Sequence, residues 1–467
     1  MEDLKVKNID FNNPQKVHFT GIGGISMSGF AELLMNKGFT VTGSDKRSSD
    51  ITKALEEKGV VIYYGEQRAG NVAPDVDLLI YTAAVKPDNP ELIAAKVMGI
   101  PCIDRAKLAG DVMLHYKRNF AIAGTHGKTT TTSMMSLILM EAGLDPTVSV
   151  GGVIPAIGGN MRIGEGSDMV IEACEYTDSF LSFHPTHAII TNIEAEHLDY
   201  FKSFERMQES YVRFAELLPA DGLLVYNTDI ANAKDIFSNV KCPLISYSIT
   251  NKTADFFGTE LSFDSLGHPS FTLCSGGKEL GRVNLKVVGE HNAANACGAL
   301  AMALNSGITF ETAARALENY CGTGRRFEKK GELKGITIID DYAHHPTEIR
   351  ATLEAARRYP HNNICVVFQP HTFSRTAKFL DKIAEALSLA DVVVLTDIYA
   401  AREVNTYNVS SADIVKILKD KFGKETYHFS SFDEIETFLL GRCAAGDLLI
   451  TMGAGDVLKI GENLLGR

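Results

Sequence analysis

The sequence predicts an α/β fold in three domains, and three observations carry that prediction. At 467 residues the chain exceeds the roughly 100–200 residues of one ordinary core. Two glycine-rich turns, at 21–24 and 124–130, each lie between an apolar strand pattern and a helical apolar pattern. A third run of alternating strand and helix patterns opens at Ile336. Alternation of this kind builds parallel sheets covered by helices.

Taken in order, residues 16–20 read as a buried strand, followed by Gly21-Ile22-Gly23-Gly24 and a helix carrying Phe30, Leu33 and Leu34 that stops at Gly38. Strands at 40–43, closing on Asp45, and at 76–81 complete a first βαβ array, residues 1–113. The basic stretch Tyr116-Lys117-Arg118 follows a boundary near residue 114. A second domain, 114–324, contains strands at 119–123, 169–173, 187–191 and 222–227. Its stretch 243–290 alternates polar and apolar residues and reads as antiparallel, and a helix covers about 292–305. The pattern breaks at Cys321-Gly322-Thr323-Gly324, and the third domain, 325–467, has strands at 336–340, 364–368, 391–395 and 447–451. The first and third arrays are Rossmann-like, and the second is of the P-loop type.

Composition narrows the function. Hydrophobic residues make 45% and charged residues 22%, the balance of a globular chain. The net charge of −12 argues against a general nucleic-acid binder, which would carry a basic face. No apolar run approaches the roughly 18 residues of a bilayer span, and the first fifteen residues lack an apolar signal core, so a membrane or secreted protein is not expected. The eight cysteines form no C-x-x-C pair, which fits a reducing cytoplasm. Cys174, beside acidic residues, is the one thiol that stands out.

The strongest motif is Gly124-Thr125-His126-Gly127-Lys128-Thr129-Thr130 between a strand and a helix. Its glycines let backbone N–H groups converge on phosphate oxygens, Lys128 reaches the β and γ phosphates, and the Thr129 hydroxyl can bind Mg²⁺. ATP is the implied ligand. The turn at Gly21, Gly23 and Gly24, with Ser26 where a third glycine would fall and Asp45 after the second strand, resembles a dinucleotide fingerprint adapted to another diphosphate. Acidic residues cluster at Glu172-Ala173-Cys174-Glu175-Tyr176-Thr177-Asp178, where a strand-end carboxylate could ligate the nucleotide's metal, and His197 follows the next strand. His291, Asn292 and Asn295 open a helix, and Arg325 and Arg326 mark the second domain boundary. Two further strand ends carry Asp340-Asp341-Tyr342-Ala343-His344-His345 and Gln369-Pro370-His371-Thr372-Phe373-Ser374-Arg375. From the residues alone, a nicotinamide-dependent oxidoreductase and a non-catalytic nucleotide switch also remain open.

The order and spacing of these motifs resemble the Mur ligase family over nearly the whole chain. The resemblance implies an N-terminal UDP-substrate domain, a central ATPase domain and a C-terminal amino-acid-binding domain. Segments 21–29, 340–347 and 369–376 look like the members that add the first amino acid of a peptidoglycan precursor. The implied substrates are UDP-N-acetylmuramate, L-alanine and ATP, joined through an acyl phosphate with Mg²⁺ as cofactor. The family's pattern would assign catalysis to Lys128, Glu172, His197, His344 and Arg375, and the metal to Thr129, Glu172 and His197. ATP contacts would come from 124–130, His291, Asn292, Asn295, Arg326 and Asp341. Substrate contacts would come from Gly21, Gly23, Gly24, Ser26, Asp45, Thr82, Arg325, His345 and His371. A cytoplasmic bacterial enzyme, monomer or weak homodimer, without nucleic acid or membrane partners, is implied. Two departures stand out: segment 203–218 has no lysine where several Mur ligases carry a carbamylated one, and Thr372 replaces an arginine common in this subfamily.

Overall fold

The computed structural model describes residues 8–467, the side chains of residues 198 and 199 excepted. The chain forms two compact units, one reaching to Phe256 and adding Gly298–Ala313, the other comprising Phe257–Cys297 and Ala314–Arg467.

The first unit holds a five-stranded sheet built from β1 (Lys16–Thr20), β2 (Thr40–Asp45), β3 (Val61–Tyr64), β4 (Leu78–Tyr81) and β5 (Cys102–Asp104). Its order is β3-β2-β1-β4-β5 and every pairing is parallel. The chain turns from one side of β1 to the other, so the crevice beyond the end of β1 is where such a sheet receives ligands. The same unit contains β6 (Arg118–Ala123), β7 (Thr147–Ile154), β8 (Gly159–Arg162), β9 (Asp168–Glu172), β10 (His187–Ile190), β11 (Leu223–Asn227) and β12 (Leu244–Ser248). They lie in the order β12-β11-β10-β6-β9-β7-β8, parallel except for the hairpin β7–β8. β12 corrects the antiparallel reading of 243–290 at its start: it pairs parallel to β11, Leu224 opposite Leu244. Leu224, Tyr226, Val240 and Cys242 belong to a core that runs from Val17 and Phe30 through Ala121 and Met169 to Phe214.

In the second unit β13 (Phe256–Phe263), β14 (Pro269–Ser275) and β15 (Lys278–Asn284) lie side by side, β14 antiparallel to β15, as the polar alternation predicts. A helix, Glu290–Asn305, follows them. The last sheet has β16 (Glu328–Leu333), β17 (Ile336–Asp341), β18 (Ile364–Phe368), β19 (Val392–Leu395), β20 (Glu425–His428) and β21 (Leu448–Met452) in the order β16-β17-β21-β18-β19-β20. Only β16 is antiparallel to its neighbour. Apolar clusters cover both faces, one around Ile339, Val366 and Leu395, the other around Ile338, Cys365 and Leu449. Alternate residues of each central strand thus enter opposite cores, which explains their unbroken apolar runs. Met452 stands opposite both Asp341 and Phe368, so the loops after three strands leave the sheet together.

Candidate active site

The central loop is shaped by two neighbouring strands. β6 and β10 pair in parallel with Ala123 opposite Ile190, so Gly124 and Thr191 leave the sheet side by side. A Cβ on Gly124 would lie 2.0 Å from Thr191 Oγ1, and Gly127 holds a φ of 79° as it enters the helix Lys128–Glu141. Only glycine meets both demands without strain. The turn is then clamped from the β10 side. The His126 N–H donates to Asn192 Oδ1 at 2.8 Å, Asn192 Nδ2 donates to the His126 carbonyl at 3.0 Å, and the Thr191 hydroxyl donates to that carbonyl at 2.6 Å. The Glu194 N–H donates to Thr125 Oγ1 at 2.9 Å. Such a loop needs little ordering when a ligand binds. Thr129 and Thr130 are buried in the first helical turn, where the Thr129 carbonyl accepts the Ser133 hydroxyl at 2.7 Å.

Lys128 is the charged centre. Its Nζ donates to the carbonyls of Gly124 and Thr125 and to Glu175 Oε2 at 2.9 Å. Burial pulls the ammonium pKa down, yet Glu175, with Cys174 and Glu172 adding to it, carries the value above that of an ordinary lysine. The group is therefore a full cation at neutral pH. The other Glu175 oxygen lies 3.8 Å from His197 Nε2, and Tyr176 packs on the His197 ring at 4.6 Å between centroids. Glu172 accepts the Gly151 N–H at 2.7 Å. The carboxylate shared by Lys128 and His197 is thus Glu175, a member of the acidic cluster to which the sequence assigns no separate role. Burial, and then Glu175, push the Cys174 thiol up, which favours its protonated form.

The amides of the first glycine turn are held by β2. Gly21 and Ile22 donate to the Ser44 carbonyl at 2.8 and 3.0 Å, and the Gly23 N–H donates to Asp45 Oδ2 at 2.8 Å. Asp45, placed where a dinucleotide fold reads a ribose, here closes the turn. A Cβ on Gly23 would meet Asp45 Oδ2 at 2.8 Å and Thr52 Cγ2 at 2.9 Å, and one on Gly21 would meet Thr82 Cγ2 at 2.8 Å. Gly24 caps the helix Ile25–Asn36, whose N-terminus offers amides to an anion. Arg105, absent from the expected set, donates to Ser26 Oγ at 3.4 Å and puts a guanidinium beside that helix end. The helix also packs within this unit against β8: Asn160 Nδ2 donates to the Ile25 carbonyl at 3.2 Å, and Met161 abuts Gly29.

In the second unit the loops after β17, β18 and β21 gather the remaining residues. The His344 and His371 rings lie 5.6 Å apart, and His371 stacks on Tyr399 at 5.7 Å. Arg375 Nη1 donates to His371 Nδ1 at 2.9 Å, which assigns the imidazole proton to Nε2. His344 Nδ1 donates to the Tyr342 carbonyl at 3.0 Å. Asp341 is buried, which raises its pKa to about 6 against the pull of Arg326, and its oxygens accept the N–H groups of Phe327 and Ala343, both at 2.8 Å. His291 is exposed at the start of the helix Glu290–Asn305. Asn292 donates to the Val288 carbonyl at 2.8 Å, and Asn295 to Asn292 Oδ1 at 3.1 Å. Two residues expected at the substrate have structural partners instead. Arg325 donates through all three nitrogens to Asp340 and the carbonyls of Gly455 and Gly453. His345 caps the helix Pro346–Ala356 and lies edge-on to Phe379. Arg326 lies over the Tyr342 ring at 5.4 Å, with Nη1 4.0 Å from Glu348 Oε1.

Sequence models of the family match in chain order: "Mur ligase family, catalytic domain" over residues 16–117, "Mur ligase middle domain" over 122–303 and "Mur ligase, glutamate ligase domain" over 325–455. The UDP-N-acetylmuramate--L-alanine ligase of Lachnospira eligens is 50% identical over 457 residues, covering 98% of this chain and 99% of that protein. A crystal structure of the UDP-N-acetylmuramate-alanine ligase from Thermotoga maritima superposes with a TM-score of 0.82 at 30% identity, covering 97% and 99% of the two chains. A murein peptide ligase from Psychrobacter arcticus gives 0.72 at 26% identity, with 97% and 98% covered. With its clamped P-loop, its three strand-end clusters and matches that run from one end to the other, the chain belongs to the Mur ligase family.

Proposed function

We infer that this enzyme joins L-alanine to the carboxylate of UDP-N-acetylmuramate, using ATP, in the synthesis of peptidoglycan precursors. The observation that carries the reading is the buried Lys128 ammonium, held at the end of β6 by Glu175, in a chain half identical to a curated ligase of that activity. A carboxylate is a poor electrophile, so the γ-phosphoryl of ATP goes to the muramyl carboxylate first. The amine of L-alanine then attacks the acyl phosphate, and phosphate leaves from the tetrahedral adduct. Positioning and charge dominate phosphoryl transfer, and Lys128 supplies a fixed cation beside amides that converge on the phosphates.

In this reading Thr129, Glu172 and His197 would hold a hard divalent cation, with Glu175 3.8 Å from His197 Nε2. Mg²⁺ held there would neutralise charge on the transferred group. In the same reading the amides at 21–24, with Ser26 and Thr82, take the diphosphate side of the UDP-sugar. Asn292, Asn295, Arg326 and Asp341 contact ATP, and His344, His371 and Arg375 lie nearest the muramyl carboxylate and L-alanine. Among the described residues no helix is long and apolar enough to cross a membrane. Nucleotide substrates of this kind point to the cytoplasm as the working compartment.

Phosphate release tests the reading directly. It should require UDP-N-acetylmuramate and L-alanine together, and release with ATP and one substrate alone, or equal release with a muramyl-free UDP-sugar, would overturn it. The same assay across alanine, serine, glycine and a murein tripeptide separates this activity from that of the peptide-ligase relatives.

A further inference from the structure

Glu91 is fully buried under the first glycine turn and has no role in the scheme above. It stands at the start of the helix Pro90–Val97, and its carboxylate collects three hydrogen bonds. The hydroxyls of Thr20 and Ser44 donate to Oε2 at 2.7 and 2.8 Å, and Asn71 Nδ2 donates to Oε1 at 2.7 Å. His18 Nε2 lies 3.5 Å from Oε2, and His18 Nδ1 lies 3.0 Å from Thr42 Oγ1.

The two hydroxyls belong to the strand ends that make the turn. Thr20 is the last residue of β1 and precedes Gly21. Ser44 sits one residue before the end of β2, and its carbonyl accepts the Gly21 and Ile22 N–H groups at 2.8 and 3.0 Å. Its neighbour Asp45 accepts the Gly23 N–H. A single carboxylate oxygen therefore ties together the two strands from which the turn hangs. Packing alone does not call for an acid here, since apolar groups often replace buried ionic ones without loss of stability.

We propose that Glu91 is a positioning residue for UDP-N-acetylmuramate: by holding Thr20 and Ser44 it sets the spacing of the amides at 21–24 to which the diphosphate binds. The proposal rests on the reading that this turn receives the UDP-linked substrate. Steady-state kinetics on the full enzyme, with melting temperatures to verify folding, tests it. In Glu91→Ala the KM for UDP-N-acetylmuramate should rise by about tenfold or more, while kcat and the KM values for ATP and L-alanine stay within about twofold. Glu91→Gln, which keeps one acceptor oxygen, should rescue most of the loss, to about threefold. Asn71→Ala should lower the melting temperature yet leave that KM within about twofold, because Asn71 binds the oxygen turned away from the strand ends. If Glu91→Ala does not fold, Thr20→Val and Ser44→Ala each remove one of the same bonds and should raise the same KM alone. An unchanged KM in a folded Glu91→Ala, or kcat and all KM values shifting together, would overturn the proposal. Calorimetric titration of Gly23→Val with UDP-N-acetylmuramate separates the two layers. Undiminished affinity there sinks the assignment of the turn, whereas lost affinity beside a silent Glu91→Ala sinks only the positioning role.

Discussion

The two glycine turns of the first unit share one local design and differ in what surrounds it. Each follows the central strand of a parallel sheet and enters a helix at a glycine. Behind the turn at 124–130 stands an ammonium, with Glu175 occupying the place of its counter-ion. Behind the turn at 21–24 stand two carboxylates, Asp45 on the Gly23 amide and Glu91 beneath the strand ends. Amides at a helix N-terminus suffice to hold a diphosphate that does not react. Transfer of a phosphoryl group also needs a cation where charge develops. In the proposed reading, the contrast in buried charge separates a turn that binds from a turn that reacts.

Lys128→Ala is the sharpest way to break that contrast. It should reduce kcat on the order of 10³-fold or more while leaving the fold and UDP-N-acetylmuramate binding intact, as measured by turnover and titration. Retained turnover in a folded variant would remove the reacting role from this loop. Glu175→Gln should act more on stability. It leaves a buried cation unpaired, a defect of about 3–5 kcal/mol when one partner of a buried pair is lost. Because nucleotide phosphates can replace the missing carboxylate, ATP should raise the melting temperature of this variant more than that of the wild type. An equal shift in the two proteins would mean that Glu175 does not hold the phosphate's place.

Gly23→Val tests the other turn. Its Cβ would fall 2.8 Å from Asp45 Oδ2, so the turn must open. Affinity for UDP-N-acetylmuramate should drop on the order of 50-fold, with ATP binding unchanged, since one overpacked site commonly costs about 1–3 kcal/mol. Asn192→Ala probes the clamp on the reacting loop. It removes two hydrogen bonds to His126. At about 1 kcal/mol each, the loss should raise the KM for ATP by about thirtyfold and spare the UDP-sugar.

Both turns were legible because glycine spacing between two strong apolar periodicities is a local signal. The third-domain strands at 336–340 and 364–368 were legible for the same reason, being buried on both faces. Edge strands were not: β3 buries Ile62 but exposes Val61, Tyr63 and Tyr64, and so lacks a readable pattern. Motif spacing also could not rank Glu172 against Glu175. Glu172 ends β9, opposite Ile122, whereas Glu175 lies in the following turn, and only the path of that turn brings it to Lys128. Arg325 and Arg326 are equivalent in sequence, yet a φ of 60° at Arg325 turns one guanidinium inward to Asp340. Thr191, Asn192 and Glu91 act through partners more than twenty residues away in the chain, and for such residues the only sequence signal is their place at the end of a strand or the start of a helix.

The smallest effect expected concerns pH and sharpens the comparison at the binding turn. Burial pushes the Glu91 carboxyl up, but the hydrogen bonds from His18, Thr20, Asn71 and Ser44 together hold it below its ordinary value of 4.5. A carboxylate bound more weakly by protons in the folded state stabilises that state above its unfolded pKa, and the contribution fades as pH falls through the folded one. Lys128 has the opposite sense: its raised value makes its contribution full below 10.5 and lost only as pH climbs past that value. The binding turn should therefore weaken on the acid side and the reacting loop on the alkaline side. Melting temperatures of wild type and Glu91→Gln, recorded from pH 7 down to about pH 3, should show a gap that is constant above about 4.5 and narrows below it. A gap that widens in acid would mean that Glu91 is protonated in the folded protein, and its two hydroxyl partners would then have to be held by a neutral acid.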